Sequence, residues 1–414
     1  MIIVIFIVFF IFNIQSLLAI EGTTTTSSHV FKESVRGLSL RKDLKKISRA
    51  SALLHHTVIF AVQQRNLDEL EQVLFDVSDP KSSNYGKHWS KSEVGELTSN
   101  PTSTNAVLEY LSFKKVKVVN QSLYGEYITA TATIKVWEDM FNTEFHHFDM
   151  KLQSVDAEAK IVQVIRTESY SLPVELSDHV SAVFKTVEFP IRDTFKPEPI
   201  ELHQPSQSKK IKVNDIDFSQ PGLLSGYVTP ALLFLYYNIT SQTGSGAVSQ
   251  GVFETNNDAM SPIDLTYSQQ VFNLPVKPIS KNIGGHVDVD ACTSKYNSCL
   301  QSNLDTQYLI NVAQGIPTTY YYTDNSLSDW IVTVANSPNP DKVYTIGYSQ
   351  YEAFAALSEM QSFNIQAMIL GVMGTTIVVA SGITGVNLVY NDEMTITLDC
   401  GYFAQFPASS PYSM

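Results

Sequence analysis

The sequence predicts two folded units of different class, an α+β layer in the first half and an α/β unit built on a parallel sheet from about Thr229 onward. Three observations predict this. Strand and helix patterns in the first half follow the order strand, helix, two or more strands, helix, strand, which describes a ferredoxin-like layer. After Thr229, strands and helices alternate, and the strands are apolar on both faces, as in Thr375–Ala380 (TTIVVA), the mark of a parallel sheet covered by helices. Between the two, periodicity is lost, and Pro190, Pro197, Pro199, Pro205 and Pro221 punctuate a polar stretch that reads as a linker.

In the first unit, order is expected from His56. Thr57–Gln63 reads as a strand. Asn66 is placed to cap a helix, with Glu69 three residues on to reach back, and Leu67, Leu70, Leu74 and Val77 line one face. Asp79-Pro80 ends that helix. Ser90 and Glu93 form a second capping-box pattern, and a further helix covers Thr104–Leu111. Strands follow at Val116–Asn120 and Tyr127–Ile134, a helix around Trp137, Met140 and Phe141, then strands at Glu144–Met150 and Ile161–Thr167. A turn of helix within Leu172–His179 and a strand at Ala182–Phe189 complete the unit.

The second unit opens with Thr229 as N-cap and Pro230 at the first helical position. Strands are expected at Ala247–Phe253, Thr318–Tyr322, Val343–Ile346 and Thr375–Ala380. Helices are expected at Pro262–Phe272, Leu304–Val312, Ser328–Ala335 and Ala353–Met373. The divisions are therefore 1–20, 21–55, 56–189, 190–228 and 229–414.

The net charge of −13 argues against a nucleic-acid protein, which needs a basic face. Residues 1–20 are apolar, interrupted by Asn13, Gln15 and Ser16, with Ala19 as a small residue for cleavage. They read as a signal peptide lacking the usual basic start, the alternative being an uncleaved anchor. No later segment is long and apolar enough to span a membrane, so no membrane association is expected after cleavage. Asn120-Gln121-Ser122 and Asn238-Ile239-Thr240 are N-glycosylation triplets. Of three cysteines, Cys292 and Cys299 could pair across a short loop in an oxidising compartment, which leaves Cys400 over. Lys209-Lys210 suits a processing protease or a solvated linker.

Generic motifs carry little. Gly347-Tyr348-Ser349-Gln350-Tyr351 approaches the nucleophile elbow but lacks its last Gly, and no His follows the Ser. Gly382 and Gly385 are too sparse for a phosphate loop. Asp288 and Asp290 are two carboxylates on one short segment, more in keeping with solvation than with a metal.

The informative segment is Gln301–Thr318, QSNLDTQYLINVAQGIPT. It resembles the sedolisins, the serine-carboxyl peptidases that include tripeptidyl-peptidases, whose pattern here is approximately E-A-S-L-D-x-Q-Y-x-x-x-x-A-P-G-A-P-T. The resemblance extends along the chain. Val77-Ser78-Asp79-Pro80 with Tyr85-Gly86-Lys87 is similar to the pro-kumamolisin-type activation domain. Thr229-Pro230 and Tyr237-Asn238 resemble the start of the mature peptidase. Tyr348–Glu352 is similar to S-Y-G-x-x-E, and Phe406–Tyr412 matches F-P-A-S-S-P-Y.

The resemblance implies a zymogen of a serine peptidase that works in acid, routed to the lysosome or outside the cell, with a ferredoxin-like propeptide and a subtilisin-like α/β domain. Peptides would be its substrates. The pairing it implies is one Glu as general base and one Asp a helical turn later to orient it. Carboxylates can activate a serine at acidic pH, where a His stays protonated. At these positions the sequence has Gln301 and Asp305, so the base is replaced by an amide and only the Asp is retained. The family's oxyanion Asp aligns with Ile383. The nucleophile serine and the calcium site lie beyond F-P-A-S-S-P-Y in the family, past Met414. The expectation is thus a C-terminally shortened peptidase unit, without calcium and without hydrolysis, with an open sheet edge and marginal stability. The other expectation is that the propeptide unit inhibits or binds an intact family peptidase.

Overall fold

The computed structural model describes residues 28–41, 43–152, 160–191, 228–240, 244, 246–289, 299–324, 326–382, 385–386, 388–391, 396–399 and 402–414. Ordered structure begins earlier than His56. Strand β1 (His29–Ser34) and strand β2 (Leu44–Arg49) are mostly exposed and charged, so they lack the alternation that betrays a strand. Next come β3 (His55–Val62), α1 (Leu67–Ser78), α2 (Lys91–Thr98) and α3 (Pro101–Phe113). They are followed by β4 (Lys117–Gln121), β5 (Tyr127–Thr133), α4 (Ile134–Phe141), β6 (His146–Leu152) and β7 (Lys160–Arg166). β8 (Ser169–Pro173), α5 (Val174–Ser177) and β9 (Val180–Phe184) close the unit.

Its main sheet is antiparallel in the order β4-β5-β3-β9. β3 lies inside because Val58–Val62 are all buried, leaving no face for water. Helices α3, α4 and α5 cover one face, with Phe60 against Trp137 and Phe141. β2-β6-β7 form a second sheet, and β1 pairs with β8. Ser90 and Glu93 make the full capping box at the start of α2. Asn66 does not cap α1. Its backbone is left-handed (φ 54°), and its side-chain amide donates instead to the Leu97 carbonyl at 2.9 Å. Glu69 therefore has no reciprocal box to complete.

The second unit starts with α6 (Pro230–Tyr236), capped by the Thr229 hydroxyl, which accepts from Leu232 N–H at 3.2 Å. Then follow β10 (Gln250–Glu254), α7 (Pro262–Val271), β11 (Lys281–Ile283), α8 (Leu300–Val312), β12 (Thr318–Tyr322) and α9 (Leu327–Asn336). β13 (Val343–Ile346), β14 (Gln350–Tyr351), α10 (Leu357–Val372) and β15 (Thr376–Val379) continue the chain. β16 (Leu388–Asn391) and β17 (Ile396–Asp399) form an antiparallel hairpin, and β18 (Gln405–Phe406) pairs with β14.

Five strands make a parallel sheet in the order β11-β12-β10-β13-β15. The alternation of strands and helices forces this, because each crossover helix returns the chain to the same end. On the outer side of β15, the backbone of Met414 donates to Ile377 O at 2.9 Å and accepts from Val379 N at 2.8 Å. That edge is partly paired.

The two units share a core. Ile59, Ala182 and Phe184 of the first belong to the same buried cluster as Trp330, Phe363 and Leu370 of the second. Leu70 and Val94 meet Met368 and Val372. Polar contacts at helix ends complete the contact. Glu33 accepts from Ser358 N–H in the first turn of α10 at 3.1 Å. Lys91 donates to Ala335 O and Ser337 O at the end of α9. Each places charge where the helix dipole favours it.

Candidate functional site

The carboxyl ends of β10 and β13 and the first turns of α8 converge. The one-turn spacing of positions 301 and 305 puts both on one face of α8, and their side chains meet. Gln301 Nε2 donates to both Asp305 oxygens, at 2.9 and 3.0 Å. Gly347, just past β13, lies against this pair. A Cβ there would collide with Asp305 Oδ2 and lie 3.0 Å from Gln301 Nε2, so only glycine fits.

Two further carboxylates complete the cluster, and the sequence reading missed both. Glu254, the last residue of β10, is fully buried. Its Oε2 accepts from Ser302 Oγ at 2.8 Å and Tyr348 OH at 2.9 Å. Asp258 Oδ2 accepts from Gln301 N–H at 3.2 Å, and Asp258 is 2 % exposed. A carboxylate ending an otherwise apolar strand was the one available signal, since Glu254 follows Gly251-Val252-Phe253 directly.

Burial shapes the electrostatics. Burial pushes the Asp305 carboxyl up to about 6; the Gln301 amide opposes this and the Asp258 charge adds to it. Glu254 lies well above the usual carboxylate range, mainly through burial and then through the Asp305 charge. Among three carboxylates so close, like charges cannot all ionise. The cluster holds protons through the mildly acidic range.

The other sequence candidates fall as follows. Ile383, Cys292, Cys400, Asp290 and Lys209-Lys210 lie outside the described residues. Cys299 is disulfide-bonded. Asn120 and Asn238 are both exposed. Ser349 is buried, and its hydroxyl donates to Gln405 Oε1 at 3.3 Å. It leads into strand β14, not into a helix, so the nucleophile-elbow geometry is absent. Among the described residues, no group of three or more His, Cys, Asp or Glu side chains clusters as a metal site, and no helix is long and apolar enough to cross a membrane. The segment Phe406–Tyr412 pins the chain end down. Ser409 Oγ donates to Glu352, Ser410 Oγ to Asn364 at 2.7 Å, and Tyr412 OH to Glu71 of the first unit.

Residues 42–189 match the family "Pro-kumamolisin, activation domain". Tripeptidyl-peptidase 1 of Dictyostelium discoideum is 25% identical over 415 residues, covering 92% of this chain and 65% of that protein. Tripeptidyl-peptidase 1 of Mus musculus is 25% identical over 373 residues, covering 86% of this chain and 60% of that protein. Along most of its length the chain is similar to tripeptidyl-peptidase 1. It spans about 60–65% of the length of these curated relatives. A solved Pseudomonas sedolisin, a serine-carboxyl proteinase complexed with two molecules of pseudo-iodotyrostatin, aligns with TM-score 0.31 and 16% identity. It covers 43% of this chain and 50% of that one.

Proposed function

We propose that this chain is a serine-type peptidase homologue that keeps the carboxylate framework of its family but does not hydrolyse peptides. One observation carries the reading. The residue one turn before Asp305 is Gln301, and its amide spends its N–H donors on both Asp305 oxygens. A general base must accept a proton in the transition state. An amide nitrogen cannot, and the amide oxygen is a very weak base. Ile383 at the oxyanion position adds to this, because an alkyl side chain donates nothing to a developing oxyanion. What remains is the carboxylate cluster at the strand ends, with Asp305 as the one retained residue of the family's catalytic pair.

The strand order β4-β5-β3-β9 agrees with a ferredoxin-like propeptide, and the parallel sheet agrees with a subtilisin-like peptidase unit. We place their boundary within 190–228. A signal peptide over 1–20, glycans at Asn120 and Asn238, and a secretory route to lysosome or exterior belong to the same reading.

The test is purified chain with tripeptide amides across pH 3–7. No turnover is expected. Turnover that Asp305→Ala abolishes would overturn the reading. The inhibitor reading needs the propeptide unit to act on another molecule, yet its contact face is covered by α9 and α10 of its own chain. Slowing of an intact relative at micromolar excess would favour that reading instead.

A further inference from the structure

Where the two units meet, a cavity of about 330 Å³ stays open. Protein interiors leave few voids larger than a water molecule, so a gap of this size beside a shared core calls for an explanation. Its walls come from both units. Ile59 on β3 and Thr129 on β5 are cross-strand partners, on the sheet face that meets the second unit. The second unit supplies the buried rings of Phe253, Tyr321 and Trp330. Edge strand β11 ends at Ile283, and Gly284 then borders the cavity without a side chain. A Cβ there would collide with the Tyr322 carbonyl oxygen, so only glycine fits and the gap stays unfilled.

Two charges border the same cavity. Lys185, just past β9, holds its ammonium 3.1 Å from Asp329 in the first turn of α9. Both side chains are 20% exposed, and Thr129, Ile283 and Thr333 are part-exposed, so the cavity is open to solvent. Lys185 has a left-handed backbone, φ +66°, which residues other than glycine rarely adopt. Its amide donates to Glu188, and its carbonyl accepts from His56 Nε2 at 2.9 Å. Strain fixed in this way clusters at ligand sites. The pair also has spare capacity. An ammonium has three donors, and Asp329 is the one ion-pair partner of Lys185 among the described residues. Asp329 Oδ2 accepts from Thr323 Oγ1 at 3.2 Å, and a carboxylate offers about four acceptor sites. No residue of the carboxylate cluster lines the cavity. Phe253 and Glu254 are consecutive on β10, so their side chains point to opposite faces of the sheet.

We propose that this cavity binds a free amino acid with an aromatic side chain. Lys185 takes its carboxylate, Asp329 its ammonium, and the walls of Phe253, Tyr321 and Trp330 its ring. The charges select this class. An anion alone would meet Asp329, and a cation alone would meet Lys185. A peptide carries its terminal charges on separate residues. A free amino acid carries both on one carbon, which matches two side-chain charges 3.1 Å apart. A cavity of about 150 Å³ already accepts benzene, so this one has room for the ring and the charged head. Cavities of this size at unit boundaries, mostly apolar with a few polar groups, are typical of small-molecule sites. Because both units supply contacts, the ligand ties them together. The site does not rest on the peptidase-homologue reading.

The experiment uses the full chain and isothermal titration calorimetry at pH 7. L-Phenylalanine is expected to bind. 3-Phenylpropionate lacks the ammonium and phenethylamine lacks the carboxylate. Each is expected to bind about ten-fold more weakly, in line with the loss of one charge-assisted hydrogen bond. Lys185→Met should weaken phenylalanine binding to a similar extent, and Asp329→Asn serves if that variant misfolds by circular dichroism. Thr129→Phe fills the cavity and leaves the ion pair in place, so it should abolish binding. No binding of phenylalanine at millimolar concentration overturns the proposal. So does equal affinity for either analogue. Binding that survives in Thr129→Phe also overturns it, since the ligand would then sit elsewhere.

Discussion

Glu359 offers the sharpest test of how the two units are joined. It is fully buried in the first turn of α10. Its Oε1 accepts from Ser328 N–H at the start of α9 at 3.0 Å. Three groups of the first unit face it: Glu188 beyond β9, Glu33 on β1 and Arg166 on β7. Burial, then the Glu188 charge, push its carboxyl from the ordinary 4.5 up to about 8. The folded protein therefore holds a proton that the unfolded chain releases. For a carboxylate raised in this direction, stability is greatest below pH 4.5 and falls as pH rises toward 8. At about 1.4 kcal/mol per pH unit, the full transition corresponds to on the order of 4–5 kcal/mol, and the span from pH 5 to 7.5 to about 3. Glu359→Gln removes the titration while keeping an acceptor for Ser328 N–H. Urea unfolding followed by tryptophan fluorescence should give a loss of at least about 3 kcal/mol between pH 5 and 7.5 in the unsubstituted chain. In Glu359→Gln the loss should be smaller by about 3 kcal/mol, what remains coming from the raised Asp305 and Glu254 carboxyls, so that the variant is more stable at pH 7.5 and close to unchanged at pH 5. Parallel pH profiles for the two proteins would refute the reasoning, since Glu359 would then be ionised or solvated in the folded state.

Three further outcomes follow from the same geometry. Lys91→Ala removes the cation at the end of α9 and should lower unfolding free energy by about 1 kcal/mol, read as a shift in urea midpoint without change in slope. Gly374→Ala should destabilise by about 1–3 kcal/mol, because Gly374 has φ +77° and its Cβ would lie 2.6 Å from the His88 ring across the unit boundary; a melting temperature within one degree of the parent would contradict this. Gln301→Leu removes the two N–H bonds that hold the Asp305 carboxyl down, so Asp305 should titrate above its present value of about 6, measured by carboxyl 13C shifts.

Periodic and capped elements were legible in the sequence. Thr318–Tyr322 and Val343–Ile346 fall where their apolar runs put them, and Ser90 and Glu93 form their box. Asn66 misled because a capping residue with a left-handed backbone turns its side chain elsewhere. β1 and β2 were illegible because they are short and largely exposed, and β8 because it is short; their partners, such as Pro173 for His29, lie far away in sequence. Spacing on α8 gave the Gln301–Asp305 contact, which is local. Glu254 and Asp258 escaped because they reach the site only when β10 packs beside α8, a long-range event with no local signature.

The Gln301–Asp305 contact also decides how the carboxylate cluster holds together. Asp305 is largely shielded, close to Asp258 and Glu254, and against the backbone of Gly347. With nothing at 301 to donate, ionising it would leave charge buried near like charge, at a loss of several kcal/mol. A glutamate at 301 would need a shared proton to coexist with Asp305. A glutamine needs none, because its amide donates at every pH. The Gln301–Asp305 contact therefore keeps the end of β13, the first turns of α8 and the Gly347 crossing together at neutral pH. On this argument, Gln301→Glu alone makes the cleft acid-dependent, stable below about pH 6 and weakened above it, without creating a hydrolase. A variant equally stable at pH 5 and 7.5 would show that Asp305 reaches solvent.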